Sequence, residues 1–405
     1  MSAISWGTPD AKAFADVVGK AAKHGAARQS GLPIIQCLRL TQDGDRLTVE
    51  GTDLSHAVRV VLQGHGGHGG DGQVCVGAAD LAALAGRMSD GGTLSLRREG
   101  VRLVVVCGSS RASLPVMDPA DFPSVAWDSE AADAVTLDGR VLAALLSTAA
   151  AAAATDDNRP ALHAVRLVAV GSGSLLAEGA DGFRCMRMMA DAQVAHGLGH
   201  GLLWGDGLLV QLGSARTALA FMGAGQVRLS RGSTGRLVLS DAAGAWDVAL
   251  ALVDGAFPQL GKIFDNASEC DVGMTASPSN VRRALALATT AAAQAGITQV
   301  DLSVSSADGV RLGTNTEVTS RLGNADASMA LHAIIDRGFS GEAGVTISGR
   351  LLSGLVDAMA SAGADGLTLR IHSSNRGHPI MLAADLDVGG ATLQATAVLM
   401  PMRVA

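Results

Sequence analysis

The sequence repeats one plan three times, and this repetition limits the chain to folds built from similar domains in tandem. A turn, a short alternating strand and a second turn end at Asp53, at Asp181 and again at Asn315. These positions recur at intervals of about 130 residues, which is the size of an ordinary domain. The chain is therefore predicted to contain three copies of one domain.

A second marker gives a similar spacing. A large apolar residue followed by proline closes each copy, at Pro123, Pro258 and Pro401. Polar linkers are expected at 127–134 and 265–271, between apolar runs. The predicted domains span 1–128, 134–265 and 271–405.

The hydrophobic periodicity changes in the same order within each copy. An amphipathic helix is predicted to open each copy, at 10–28, 137–155 and 277–294, and a second helix follows at 79–88, 207–221 and 349–362. Alternating strand patterns lie between and after the helices. This order predicts an α+β fold in which helices cover one face of a largely antiparallel sheet.

Composition excludes several classes of protein. The net charge of −7 argues against a protein coated all over by nucleic acid, and 3% aromatic residues provide little surface for stacking single-stranded bases. The five cysteines include no C-x-x-C pair and predict reduced thiols in a cytoplasmic protein. Neither a signal peptide nor a membrane span is predicted.

Three motifs resemble chemical sites, but the residues around each argue against one. The segment Gly255 to Lys262 has one residue too many between its glycines for a phosphate-binding loop, and Ile263 replaces the hydroxyl residue that would hold magnesium. His65 and His68 lack further metal ligands at suitable spacing, so a glycine-rich hairpin tip is favoured. The adjacent carboxylates Asp156 and Asp157 could suggest acid/base chemistry, but a solvated turn after the Ala-rich helix explains them better. We therefore expect no catalytic group, no metal and no cofactor.

Basic residues recur on the predicted helices. A solvated helix face explains any one of them, but repeated on equivalent helices they would form a basic surface that contacts phosphates without reading sequence. The residues predicted to face DNA are Lys20, Lys23, Arg28, Arg87, Arg140, Arg216, Arg282, Arg283 and Arg350.

The run from Val398 to Arg403 is unusually apolar and carries two Met residues around Pro401. Chain ends are usually polar and frayed, so this segment is predicted to be docked on the protein body. Two interpretations remain open from the residues alone: a final core strand, or a wall of a groove that accepts several partners.

The order of the motifs resembles the bacterial β sliding clamp, the processivity factor of the replicative DNA polymerase. The similarity covers all three copies, and each match is short. The matching segments are 32–35, 51–54 and 120–123 in the first copy, 180–184 and 252–258 in the second, and 398–403 in the third.

This resemblance implies a non-catalytic head-to-tail homodimer that closes around duplex DNA, with helices lining the hole. It also implies that DNA polymerase, the clamp loader and repair proteins bind through short linear motifs, in a cytoplasmic, nucleoid-associated protein. Carried over position by position, the peptide pocket comprises Leu162, Gly182, Phe183, Arg184, Pro258, Ile263, Val398, Leu399, Met400, Pro401, Met402 and Arg403.

Departures from the family pattern predict a divergent member. Ala180 stands where the family has Thr, Phe183 where it has His and Cys185 where it has Leu, so partner preference is expected to differ. The segments expected at the dimer contact, 111–114 and 288–291, are small and polar, which would weaken closure because less apolar area is buried. The alternative is a clamp-fold paralogue, such as a second or mobile-element copy, with altered partner or inhibitor binding and poor loading on DNA.

Overall fold

The computed structural model describes most of the chain. The described residues are 4–66, 72–89, 92–127, 134–156, 158–170, 174–190, 195–196, 206–232, 235–294, 296–314, 328–335 and 339–402.

The first copy contains nine strands and two α-helices among the described residues. Its elements are β1 (Ser5–Thr8), α1 (Ala11–His24), β2 (Cys37–Asp43), β3 (Arg46–Thr52), β4 (His56–Gln63), β5 (His65–Gly66), β6 (Gly72–Gly77), α2 (Ala78–Arg87), β7 (Leu94–Glu99), β8 (Arg102–Cys107) and β9 (Ser110–Met117).

The second copy repeats this order. Its elements are β10 (Ala134–Asp138), α3 (Gly139–Ala150), β11 (Ala164–Val170), β12 (Ser174–Ala180), β13 (Arg184–Ala190), β14 (Ala195–His196), β15 (Leu208–Gln211), α4 (Leu212–Leu219), β16 (Gln226–Arg231), β17 (Leu237–Asp241) and β18 (Trp246–Leu250).

The third copy follows a short connecting helix, α5 (Gly261–Ala267), and has the same order again. Its elements are β19 (Val272–Ala276), α6 (Pro278–Gln294), β20 (Gln299–Ser305), β21 (Gly309–Thr314), β22 (Ser328–Leu331), β23 (Ala333–Ile335), β24 (Glu342–Ser348), α7 (Gly349–Ser361), β25 (Leu367–Ile371), β26 (Ile380–Val388) and β27 (Ala391–Leu399). The predicted fold class, helices with antiparallel sheet in a repeated plan, is confirmed.

Side-chain caps fix where the helices begin. The Asp10 carboxylate accepts the backbone N–H of Ala13 at 2.8 Å, and the Ser348 hydroxyl accepts that of Leu351 at 3.4 Å. These bonds satisfy N–H groups that the first helical turn leaves without partners. The predicted helices at 10–28 and 349–362 therefore begin close to their expected positions.

Two local predictions differ from the structure. The stretch 207–221 was expected to be one helix, but Leu208–Gln211 forms β15 and only Leu212–Leu219 is helical. The apolar run pairs with β11. The sequence pattern did not reveal this, because a buried strand and a buried helix have similar short apolar patterns. The expected linker at 265–271 is partly helical, since α5 continues to Ala267 with Phe264 and Ala267 buried.

The chain divides into two compact units, residues 1–139 with 213–252 and residues 140–212 with 253–405. The division passes through the second copy, so it does not follow the predicted boundaries at 128–134 and 265–271. The three-domain division remains a prediction from the repeats.

In the first unit, strands of two copies form one antiparallel sheet. The sheet order is β10-β16-β17-β18-β4-β3-β2-β6-β9-β8-β7-β1-β5. Its junction is the pairing of β18 with β4, in which Ala249 lies opposite Ala57. The last strand of the second copy thus pairs with the third long strand of the first copy.

The second unit contains the equivalent junction. Its larger sheet has the order β15-β11-β12-β13-β27-β26-β25-β19-β23, and a smaller sheet has the order β22-β21-β20-β24. Here β27 pairs with β13, and Val398 lies opposite Cys185. The same rule therefore joins the third copy to the second.

Glycine allows the opening helix of the second copy to lie against its sheet. A Cβ at Gly179 would lie 1.9 Å from the carbonyl oxygen of Ala149, which ordinary packing forbids. Gly51, at the equivalent place in the first copy, would bring a Cβ within 3.1 Å of the Ala26 nitrogen. Both glycines lie two residues before the Asp that marks the repeat.

Candidate peptide-binding pocket and basic helix faces

An apolar cavity of about 150 Å³ opens on the surface of the second unit. It lies where the β12–β13 turn, the segment leading into α5 and the end of β27 meet. The cavity is lined by Leu162, Ala180, Gly182, Phe183, Arg184, Cys185, Pro258, Leu260, Ile263, Val398 and Met400.

The β12–β13 turn that forms one wall is held by hydrogen bonds. Asp181 Oδ1 accepts the backbone N–H groups of Phe183 at 2.8 Å and Arg184 at 2.9 Å. Gly182 has φ +94°, a backbone conformation that residues with a Cβ rarely adopt. The Met400 N–H donates to the Phe183 carbonyl at 2.8 Å, which ties this turn to the end of β27.

The cavity floor is part of a buried apolar cluster. Cys185 and Val398 pack with Leu260 and Phe264, and Arg187 places its guanidinium 4.0 Å from the centre of the Phe264 ring. Burial raises the pKa of the Cys185 thiol to about 12. Cys185 is therefore a small neutral group at neutral pH.

Three of the large apolar side chains that remain exposed converge on this cavity. Phe183 is 64% exposed, Met400 is 41% exposed and Ile263 is 37% exposed. Exposed apolar groups gathered around a concave surface are typical of a binding site rather than of ordinary protein surface.

A second, more polar cavity adjoins the first and shares Phe183 and Arg184 with it. The Arg184 guanidinium pairs with Asp181 at 3.0 Å and donates to the Leu351 carbonyl at 3.4 Å. Gly354 on α7 permits this approach, because a Cβ there would lie 2.8 Å from Arg184 Nη1. The remaining lining is Ala151, Ala153, Ala154, Thr155, Asp156, Arg159, Asp181, Thr298, Ser348, Arg350, Leu351 and Gly354.

The structure gathers most, but not all, of the residues carried over from the resemblance. Leu399 does not line the cavity: its side chain is fully buried in the core, because alternate residues of β27 face opposite sides of the sheet. Pro401 and Met402 are half-buried and do not line the cavity, and the Met402 N–H donates to the Thr346 carbonyl at 2.8 Å. Arg403 lies outside the described residues.

Sequence reasoning missed Leu260 as a lining residue. Leu260 lies in the segment from Gly255 to Lys262, of which only Pro258 was predicted to belong to the pocket. Its position two residues after Pro258, directly before the apolar residues of α5, was the available signal.

The residues predicted to face DNA are all exposed. Lys20, Lys23 and Arg28 surround His24, and burial together with these cations and His56 lowers the pKa of His24. The His24 ring contacts Phe221 edge-on at 6.1 Å, so these cations lie near the end of α4, the helix that carries Arg216. The first unit therefore has a local basic patch.

The basic residues of the second unit are less concentrated. Arg282 is neutralised by Asp357 at 2.6 Å, and Arg283 donates to Asn280 at 2.7 Å. The Arg140 guanidinium lies against Gly389, and Arg350 lines the polar cavity. Arg87 is on the exposed last turn of α2 in the first unit.

His65, Asp156 and the segment from Gly255 to Lys262 lie in the described part of the chain. No group of three His, Cys, Asp or Glu suited to a metal ion occurs there. His68 and Asp157 lie outside the described residues. No helix among the described residues is long and apolar enough to cross a membrane.

Sequence similarity to known proteins covers only part of the chain. Residues 10–126 match the family described as DNA polymerase III beta subunit, N-terminal domain. The beta sliding clamp of Caulobacter vibrioides is 30% identical over 162 residues, which cover 39% of this chain and 43% of that relative. The matched part thus spans less than half the length of the curated relative.

Solved structures extend the similarity to the whole chain. The Caulobacter crescentus beta sliding clamp superposes with a TM-score of 0.80 at 22% identity, covering all of both chains. This chain has the β sliding clamp fold, and residues 10–126 match the N-terminal-domain model of that family. The DnaN sliding clamp of Pseudomonas aeruginosa, solved bound to griselimycin, gives a TM-score of 0.79 at 18% identity, again over all of both chains. The predicted resemblance to a divergent β sliding clamp is confirmed.

Proposed function

We propose that this chain is a DNA sliding clamp, a non-catalytic protein that closes around duplex DNA and tethers a polymerase and other partners through the apolar pocket. The main support for the proposal is the strand junction between copies, which occurs twice within the chain. The edges of β9 and β22 that pair with no strand among the described residues could form a third such junction between two chains.

The repeat rule identifies both edges. The last strand of one copy pairs with the third long strand of the preceding copy, as β18 pairs with β4 and β27 with β13. By the same rule β9, the last strand of the first copy, needs the equivalent strand of a third copy, which is β22. Among the described residues, β22 pairs only with β21, and β9 over 110–115 pairs only with β8. Two chains joined head to tail would pair these edges twice and form a closed homodimer.

The edge of β9 carries groups that affect closure. The Arg102 guanidinium donates to the Ser113 hydroxyl at 2.9 Å and to its carbonyl at 2.8 Å, and Arg111 pairs with Glu99 at 3.1 Å. Charged side chains on an edge oppose strand pairing. We therefore expect a homodimer weaker than one with an apolar contact.

The basic patch around Lys20, Lys23 and Arg28 supports contact with DNA phosphates. Such contacts are independent of sequence and are screened by salt. A closed ring retains DNA by enclosing it, so a few weak contacts are sufficient and leave the ring able to slide.

The apolar pocket supports the proposed partner site. Its rigid turn, apolar floor and exposed rim suit a short linear segment that inserts one or two apolar side chains. DNA polymerase, the clamp loader and repair proteins are the proposed partner class, as the resemblance implies, and the proposed role needs no catalytic residue.

Retention on DNA tests the proposal. The labelled protein is loaded onto nicked circular DNA with a clamp loader, separated by gel filtration and then exposed to a restriction enzyme that makes the circle linear. We expect the protein to remain on the circle and to leave after linearisation, since only enclosure makes retention depend on free ends. Equal retention on circular and linear DNA would contradict enclosure. A protein that binds peptides but stays off the circle would be the paralogue with poor loading.

A further inference from the structure

The rim between the two cavities carries an exposed aromatic ring that the fold does not need. Phe183 belongs to both cavity linings, and its backbone is fixed on both sides by Asp181 and Met400. An exposed phenyl ring on a fixed turn provides apolar contact but no hydrogen bond. A segment that leaves the apolar pocket on this side must cross the ring before it enters the polar cavity.

The polar cavity has unequal charges. The Asp181 carboxylate is occupied by Arg184 and by two backbone N–H groups. Asp156 accepts the Asn158 N–H at 3.2 Å and lies 3.7 Å from Arg159, with both side chains half exposed. Arg350 is exposed on the first turn of α7 and has no ion-pair partner among the described residues. Three guanidinium groups therefore line the cavity against two carboxylates, and Arg350 is the cation left available.

Arg159 extends the cationic surface towards the pocket. A Cβ on Gly182 would lie 3.0 Å from Arg159 Nη1, so this guanidinium rests against the turn that carries Phe183. Among the described residues the Arg159 guanidinium has one ion-pair contact, with Asp156 at 3.7 Å, and this long contact leaves it able to turn towards a ligand anion.

From these contacts we propose that the peptide bound by this chain carries an acidic side chain beside its apolar anchor. The peptide backbone passes over the Phe183 ring, and the acidic side chain pairs with Arg350. The inference rests on the proposed peptide-binding function and assigns the charge of the ligand. The occupant is a linear peptide because the polar cavity is continuous with the apolar pocket through Phe183 and Arg184.

Peptide binding measured by fluorescence anisotropy tests the charge preference. The probes are nine-residue fluorescein-labelled peptides with two adjacent leucines as anchor, and with a single Asp placed at each other position in turn. A matched Asn peptide accompanies each one. With the full-length protein we expect at least one Asp peptide to bind about two- to fivefold more tightly than its Asn counterpart, the range of an exposed ion pair.

Three variants separate Arg350 from general electrostatics. Arg350→Ala should abolish the preference for Asp, so that each Asp peptide binds no more tightly than its Asn counterpart. Arg350→Lys should keep most of the preference, and Arg376→Ala, which removes an exposed arginine that lines neither cavity, should keep all of it. Raising the salt concentration should reduce the preference in the parent protein.

The possible failures are distinct. Asp and Asn peptides that bind equally well at every position would overturn the inference while leaving the pocket in place. A preference that survives in Arg350→Ala would overturn the assignment of Arg350. If no leucine-containing peptide binds at any concentration, the proposed peptide-binding function fails together with the inference.

Discussion

Gly179 and Gly51 illustrate how one residue type sets the packing of the first two copies. Each lies near the end of a strand; the opening helix approaches Gly179 closely, and the residues just after that helix approach Gly51, and neither glycine has a positive φ value. The absence of a Cβ, rather than backbone freedom, is what the fold requires there.

Gly179→Ala should destabilise the protein by about 3 kcal/mol or more, because the added methyl group would contact the Ala149 backbone, which cannot move aside without shifting α3. Urea unfolding followed by circular dichroism measures the change. The matched control is Gly19→Ala in the middle of α1, where nothing lies within 4 Å. That variant should gain about 0.5–1 kcal/mol from helix propensity. A neutral Gly179→Ala would contradict the close helix approach.

The cysteines give a second prediction at this scale. All five are free and buried, and burial raises the pKa values of Cys75 and Cys185 to about 12 and that of Cys270 to about 11. These three thiols stay neutral in the folded protein, and all five cysteines are buried, so a thiol reagent at pH 8 should react only after unfolding, when the pKa values of the three return to about 8.5. Because the unfolded thiols lose protons first, their contribution to stability should fall as the pH rises above about 9. Rapid reaction of the native protein would contradict this burial.

At the scale of elements, the connector after the first copy is held by a specific set of contacts. Trp127 Nε1–H donates to Glu50 at 3.0 Å, and the Arg59 guanidinium lies 4.7 Å from the centre of the indole ring. Trp127 also packs on Ala57, Val238 and Ala249 at the β4–β18 junction. The predicted linker therefore begins as a docked segment, and the polar residues that follow it lie outside the described part of the chain.

Before the second connector, at 265–271, an ion-paired arginine again lies over an aromatic ring. Arg166 pairs with Glu178 at 2.6 Å and faces the Phe257 ring at 5.9 Å. In the first two copies the marker proline follows a Phe, and each of these Phe rings packs beside an ion pair. In the first copy Arg39, which pairs with Glu50, lies 4.8 Å from the centre of the Phe122 ring.

Trp127→Ala should lower stability by about 2–3 kcal/mol, since it removes a half-buried indole from the junction and leaves the Glu50 carboxylate with one partner fewer. Thermal unfolding monitored by calorimetry measures this loss. Phe183→Ala provides the comparison, because that ring is exposed and its removal should change stability by less than about 0.5 kcal/mol. Equal losses in both variants would show that the connector is not docked in solution.

At the scale of the whole molecule, the proposed homodimer depends on the free edge of β9. The pairing of β8 with β9 and the bond from the Val116 N–H to the Val101 carbonyl direct alternate backbone groups towards β8. The N–H groups of Arg111 and Ser113 therefore point to the outer edge, where a second chain would pair.

Ser113→Pro should reduce dimerisation, because proline removes one outward N–H without breaking the β8–β9 pairing. Sedimentation equilibrium should show a dimer of the parent chain and a weaker dimer, by about tenfold or more in dissociation constant, for the variant. Ser113→Ala keeps the N–H and serves as the control. A parent chain that stays monomeric at micromolar concentration would contradict the proposed closure, as would a variant that dimerises as well as its parent.

Features that depend on neighbouring residues were predicted from the sequence, whereas features that depend on distant residues were not. Most helix positions were predicted well, because caps such as Asp10 and the periodicity of α1 and α7 are local. The β15–α4 boundary was not, since whether Leu208–Gln211 becomes strand depends on β11, more than forty residues earlier. Leu260 was missed because a pocket lining is defined by which segments meet in space.

The sequence by itself predicted a threefold repeat with an α+β plan, because repeat spacing and hydrophobic period are properties of neighbouring residues, and its short motifs carried the resemblance to the β sliding clamp. Only the tertiary structure decided which side of β27 each residue occupies, so that Val398 and Met400 reach the pocket while Leu399 belongs to the core. It also decided which cations remain available, since Arg282 meets Asp357 only after α6 and α7 have packed. Strand facing and charge pairing depend on partners far away in the chain, and folding alone brings those partners together.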